Sequence, residues 1–241
     1  MGFSGATTVA NAEHLLVALS GPEAFAQWRK RNPQAVLDLE EAELSGVDLR
    51  GARVRNANLR GANLAGALLT RASLTRADLQ GADLERADLG HASLPGANLS
   101  HATLTNVNLF WADLKNCNMS GATLRWSRLV RASLINANLT GADLSQATMI
   151  EADLRNATLV GARFQSTNMN GADLGRASMA GADFTLAMIR DSMFVAADLR
   201  GANFDRASLH RSDMTLAKYD DTTRFPNGFD PNNTGDRDVV G

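Results

Sequence analysis

The sequence predicts an all-β solenoid, a square coil wound around a narrow apolar axis in about nine uninterrupted turns. An N-terminal helical cap and a C-terminal loop cap close its ends. Three observations carry this reading. Every fifth residue from Leu39 to Tyr219, 37 positions with no break in frame, is Leu, Met, Ile, Val, Phe or Tyr. Two residues ahead of each runs a second series, Ala42 to Ala217, that is nearly all Ala, with Val, Cys, Ser and Thr as its departures. Glycine recurs every twenty residues at Gly61, Gly81, Gly121, Gly141, Gly161, Gly181 and Gly201, interrupted at His101. A period of five fits neither the 3.6 of a helix nor the 2 of a strand. It fits a chain that turns a corner every five residues, and four such sides close in twenty.

The elements follow in order. Residues 1–34 form the N-terminal cap. Within it, "SGPEAFAQWRKRNP" predicts a helix with Ser20 as its cap, Glu23 completing a capping box, Pro22 in the first turn and Asn32-Pro33 at its end. A second short helix is expected around Ala12 to Leu19, and Phe25 and Trp28 are placed to plug the first coil. Residues 35–219 form the rod. Its coils stack at strand spacing, giving a length of about 40 to 45 Å. The leucine series fills the axis. The alanine series must be small, because the second inward side chain of each face meets a crowded interior. The glycine ladder suits type II corners, in which one residue takes positive φ. Phe164, Phe184 and Phe204, twenty apart, are expected to stack. Residues 220–241 are a loop cap and tail, with Phe225 and Phe229 folded over the last coil and 230–241 mobile.

Composition excludes several classes. The chain has 241 residues, 44% apolar, with formal net charge −2, so nothing in it draws the whole molecule to nucleic acid or an anionic membrane. No apolar run reaches the roughly 18 to 20 residues of a membrane span. Leu15 to Leu19 is too short for a signal-peptide core. "MGFSGA" has Ala6 where a myristoylation signal needs Ser or Thr. A lone cysteine, Cys117, at an inward small-residue position reads as an alanine substitute and fits a reducing compartment. A cytoplasmic chain is expected.

Catalytic chemistry is missing from the pattern. Among the four histidines, His91 and His101 are ten apart and fall on opposite sides of the coil, where they cannot share a metal. There is no Walker loop, dinucleotide fingerprint or HExxH. Asp153 and Asp173 stack one coil apart, but read as a hydrogen-bonded ladder; Asp143, Arg163 and Asp183 read as an alternating surface ladder. No enzyme, cofactor or metal is expected.

"RADLQGADLERADLG" (76–90) closely matches the consensus of the pentapeptide-repeat proteins, which this chain resembles over about three quarters of its length. The resemblance implies a right-handed quadrilateral β-helix. It also implies a function class. Several bacterial members bind DNA gyrase or its relatives and protect them from quinolones or peptide toxins, through a rod that imitates duplex DNA with rows of acidic residues.

The faces are numbered by their first ladder residues: Leu39 for face 1, Leu44 for face 2, Leu49 for face 3 and Val54 for face 4. Three surface features then stand out. On face 3, Phe110, Val130 and Ile150 stack outward, Trp111 and Trp126 stand at its two corners, and Arg128 points out between them. Trp, Phe and Arg converging on a polar surface are the makings of a binding hot spot, for a partner protein or another copy of the chain. Near the C-terminal end, Leu186, Met188, Met193 and Val195 face outward, as a dimer interface or a seat for the tail. On faces 1 and 2, Asp78, Asp83, Glu85, Asp143 and Asp183 are the residues a DNA mimic would present. Residues 35–219 hold 19 acids and 19 bases, however, and faces 1 and 2 carry 11 acids against 7 bases. That is far from the charge density of DNA, about one negative charge per 1.7 Å.

Two functions remain open: a DNA-mimic-like protector of gyrase or another type II topoisomerase, lengthened as a homodimer, and a rigid interaction scaffold that docks one protein through the Trp111–Trp126 patch. Direct nucleic-acid binding through the 21 arginines is a weaker third, because interspersed acids repel phosphate.

Overall fold

A computed structural model describes residues 10–232. The opening MGFSGA, and everything expected of the tail beyond residue 232, lie outside the described residues. From Asp38 onward, each face pairs in parallel with the residue twenty positions later, beginning with Asp38 and Asn58. One repeat shows how the backbone is satisfied. The N–H of Asp78 donates to Ala57 O (2.9 Å) in the coil below, and those of Leu79 and Gly81 donate to Asn98 O (2.7 Å) and Ser100 O (2.9 Å) above. The N–H of Ala82 closes the corner on Leu79 O (3.0 Å). Only the Gln80 N–H is left over, and the Asp78 carboxylate accepts it at 3.2 Å. This is why the residue before each ladder leucine favours Asp and Asn: the side chain supplies the acceptor that the backbone lacks. Where these residues stack, they also bond along the rod, as Asn138 to Asn118 and Asn118 to Asn98, each 3.2 Å.

The leucine and alanine series are both buried along the axis, apart from the half-buried last members Ala217 and Tyr219. Phe184 stacks on Phe164 and Phe204 with centroids 4.8 Å apart and planes within 3°, which is the coil-to-coil spacing itself. Hydroxyls and the thiol in the alanine series find carbonyls. Cys117 Sγ donates to Leu94 O (2.9 Å), Thr167 to Leu144 O (2.8 Å) and Ser192 to Met169 O (2.9 Å). Burial pushes the Cys117 thiol up to about 12, which leaves it inert.

Positive φ is not confined to the glycine ladder. Every corner residue from Glu41 to Leu216 adopts it, and 24 of these are not glycine. All four corners have the same i→i+3 closure, so all make the same demand. Asn, Arg, His and Trp meet it where their side chains point into solvent.

Helices α1 (Ala12–Leu19) and α2 (Pro22–Arg31) cover the first coil. Asn11 caps α1, its side chain accepting from the N–H groups of Glu13 and His14. The cap of α2 differs from expectation. Gly21, at φ 85°, takes the N-cap position with no side-chain bond, and there is no capping box. Ser20 is already the C-cap of α1 in helical geometry, with its hydroxyl on Val17 O (2.6 Å), so it cannot also adopt the extended conformation of an N-cap. Phe25 is the buried plug, while Trp28 sits at the helix seam, edge-on to His14 and bonded to Glu13. The open edge of the first coil is closed by α1: the Asp38 N–H donates to His14 Nδ1 (3.0 Å) and the Asn11 N–H to Asp38 O (3.1 Å).

At the other end Asn203 pairs with Arg224, twenty-one positions away. A turn at Asp220–Thr223 absorbs the extra residue, its Thr223 N–H on Asp220 O (3.1 Å). Phe225 then rejoins the aromatic column 5.7 Å from Phe204, and Phe229 packs on Phe225 at 5.5 Å. The last apolar layer is thereby covered.

Candidate functional site

Face 3 carries the densest group of exposed aromatics. Trp111 and Trp126 both stand at corner positions with φ 56°, and they are 49% and 48% exposed. Holding a bulky residue in the left-handed region costs on the order of 1–2 kcal/mol, and each ring leaves about half its surface in water. Neither choice serves the fold, since glycine and asparagine fill other corners of the rod.

Between the corners the outward column Phe110, Val130, Ile150 is half-buried. Trp111 lies edge-on to Phe110 (centroids 6.4 Å, 80°), and His91 lies edge-on to the same Phe110 (5.4 Å, 86°). Three guanidinium groups cover aromatic faces: Arg128 over Phe110 at 4.4 Å, Arg131 over Trp111 at 5.5 Å and Arg125 over Trp126 at 4.6 Å. Each such contact contributes about 0.5–1 kcal/mol at an exposed site. Arg131 is also held by a bond to Glu151 (2.6 Å), and Arg125 lies 3.9 Å from Asp143. The result is a flat, ordered surface of aromatic rings and positioned cations, suited to a partner that offers apolar groups beside carboxylates.

His91, Arg125 and Arg131 did not emerge from reading the stretch around Trp111 and Trp126 alone. The signal was present for two of them, because His91 and Arg131 lie twenty residues before and after Trp111, in its own corner column.

The second patch is on the surface as well. Leu186, Met188 and Met193 are 51%, 44% and 45% exposed, and Val195 is half-buried. Leu186 shares the corner column of Trp126, three coils on. The described tail packs on the end of the rod through Phe225 and leaves these residues open.

The acidic residues of faces 1 and 2 are engaged locally. Asp78 accepts from Asn98 (2.9 Å) and pairs with Arg60 (3.2 Å). Asp83 accepts the Glu85 N–H (2.9 Å), and Glu85 pairs with Arg86 (3.5 Å). Asp143 is buried. Burial works against its charge, but two bonds from Ser145, with Arg163 at 3.2 Å and Arg125 at 3.9 Å, hold its carboxyl below the ordinary carboxylate value. Asp183 accepts from Gln165 and Thr185. Asp153 and Asp173 are bridged by Arg155, at 2.6 and 3.5 Å. Among the described residues no cluster of His, Cys, Asp or Glu is arranged to hold a metal ion. No described helix is long and apolar enough to cross a membrane.

Comparison with known proteins agrees with this geometry. The family profile "Pentapeptide repeats" matches in overlapping copies between residues 55 and 218. HetL, a pentapeptide repeat protein involved in heterocyst differentiation regulation from the cyanobacterium Nostoc sp. strain PCC 7120, is 32% identical over 80% of this chain and 92% of its own, with a TM-score of 0.41. QnrB1, a plasmid-mediated fluoroquinolone resistance protein, in a trypsin-treated variant, is 16% identical over 77% of this chain and 91% of its own, with a TM-score of 0.50. A pentapeptide repeat protein of the Arabidopsis thaliana thylakoid lumen is 28% identical over 52% of this chain and 66% of its own, with a TM-score of 0.20. A search of curated proteins finds no match. The shared fold is the right-handed quadrilateral β-helix, here with two N-terminal helices.

Proposed function

This chain belongs to the pentapeptide-repeat family, which is generally non-catalytic, and from that premise we propose that it is a non-enzymatic, protein-binding rod of the cytoplasm. In this proposal residues 1–34 and 220–241 cap a rod of about nine coils over 35–219. The protein docks its partner on face 3 through Phe110, Trp111, Trp126, Arg128, Val130 and Ile150. The observation that carries the reading is the pair of half-exposed tryptophans in left-handed corners, bracketing a cation-lined aromatic column. Leu186, Met188, Met193 and Val195 are assigned to a homodimer contact.

A second reading keeps gyrase or another type II topoisomerase as the partner, with Asp78, Asp83, Glu85, Asp143 and Asp183 turned to it. The excess of 11 acids over 7 bases on faces 1 and 2 supports it. The arginines that neutralise Asp78 and Asp143 count against it. QnrB1's resistance role belongs to that protein, and its likeness here is one of fold.

Purified gyrase separates the readings. Under the second, titrated protein lowers quinolone-stabilised cleavage, the effect weakens steeply with salt, and D83N/E85Q weakens it further. Under the first, a partner cross-linked through position 110 loses about 2 kcal/mol of affinity, roughly thirtyfold, in Trp126→Ala, and charge changes on faces 1 and 2 leave it unchanged. A partner that binds Trp126→Ala and Trp111→Ala as tightly as the unaltered chain overturns the face 3 reading.

A further inference from the structure

A cleft opens where α2 meets the first coils, three coils before Phe110 and Trp111. It has a volume of about 790 Å³, within the range of small-molecule sites. Six cations line it: Arg29 and Lys30 from α2, and Arg50, Arg53, Arg55 and Arg76 from the rod. None of its lining residues is acidic. Among the described residues, only Arg50 of the six has an acidic partner, Asp48 at 2.6 Å. Elsewhere on the rod, cations and carboxylates are interspersed and commonly paired, so this concentration of uncompensated charge is a local departure.

Arg29 makes the departure sharper. Its Nη1 donates to Ala35 O (2.6 Å) and Asn32 O (3.3 Å), and its guanidinium lies over Trp28 (5.0 Å) and Phe25 (5.8 Å). Its Nε and Nη2 are buried with no acceptor. Burial lowers its pKa below the ordinary arginine value, as expected for a fixed charge with no counterion. The lining also includes the apolar side chains of Pro22, Ala26, Pro33 and Val36. A fork of arginines matches phosphate oxygens, and guanidinium planes and apolar walls accept a flat heterocycle.

We propose that this cleft binds a nucleoside polyphosphate, with the phosphates on Arg53, Arg55 and Arg76 and the nucleoside against the cleft's apolar side chains. No Walker loop is involved; the site is made of side chains contributed by α2 and the first coils. It is independent of the face 3 patch. Calorimetry on the full chain with ATP, pyrophosphate, adenosine and a single-stranded oligonucleotide tests it. Saturable ATP binding is expected, about tenfold or more tighter than pyrophosphate, with none for adenosine. R53A/R55A, at two outward positions on the rod, should weaken ATP about tenfold or more. R176A/R190A, which removes the same charge at the far end, should leave it unchanged. Absence of ATP binding, equal affinity for pyrophosphate, tighter binding of the oligonucleotide, or equal losses in the two double variants would each overturn the proposal.

Discussion

Truncating Phe184 to alanine tests the packing of the rod at its most regular point. The ring is fully buried, stacked 4.8 Å from Phe164 on one side and from Phe204 on the other. Phe→Ala in a core costs about 3–5 kcal/mol, more where the site cannot collapse. Collapse is blocked here. The Phe184 N–H donates to Asn203 O (2.7 Å) and the Asp183 N–H to Ala162 O (3.0 Å), so the backbone ladder holds the coils at ring spacing whether or not a ring is present. Two stacked pairs are also lost, each contributing about 0.5–1.5 kcal/mol beyond its area. The expected cost is therefore at the upper end, about 4–5 kcal/mol, and for a chain of this size a fall in Tm of about 8–20 °C. Phe184→Leu should cost about 1–3 kcal/mol, since it loses both stacked pairs but fills most of the space, as Leu124 and Leu144 do lower in the same column. Thermal and urea unfolding by circular dichroism give the magnitudes. Hydrogen exchange gives the place: coils contact only their neighbours, so amides from about residue 164 to 225 should lose protection first. A cost below about 1.5 kcal/mol for Phe184→Ala, equal costs for the two variants, or uniform loss of protection along the rod would refute the reasoning.

Other consequences are as direct. Ala142→Leu puts a large side chain at a fully buried small position and should cost about 1–3 kcal/mol or more by overpacking; an unchanged Tm would show that the axis has spare room. The Asp143 carboxyl is held below its ordinary value in the folded state, so its contribution is complete above the unfolded-state carboxylate pKa and is lost as pH falls through the folded value. Stability should hold from neutral pH to about 5 and decline below about 4, and Asp143→Asn should flatten that decline; an identical acid limb in the variant would contradict the assignment. Met188→Glu places a charge in the exposed Leu186–Met193 patch and should shift sedimentation from dimer to monomer with little change in Tm; a dimer that survives would place the self-contact elsewhere.

The amino-acid order alone determined the coil, the content of its axis, the stacked phenylalanines and the return of Phe225 and Phe229 over the last layer. The first three depend on contacts twenty residues apart in an unbroken frame, so column arithmetic is enough to find them; the last rests on two apolar rings in a polar tail just past the point where the frame ends. It also placed Phe110, Trp111, Trp126 and Arg128 around one face, since a position in the frame is a position on the rod. Only the tertiary structure decided which polar groups meet. Arg163 and Arg125 both turn to Asp143, Arg131 is held by Glu151 while covering Trp111, and His91 meets Phe110. Long side chains choose among several neighbours by geometry that the five-residue frame leaves free. The frame also ends at the caps. Gly21 rather than Ser20 begins α2, because a two-residue joint must finish one helix before starting the next. The cationic cleft exists because α2 docks across the first coils, bringing Arg29 and Lys30 to Arg53, Arg55 and Arg76, and no periodicity relates a helix to the rod it closes.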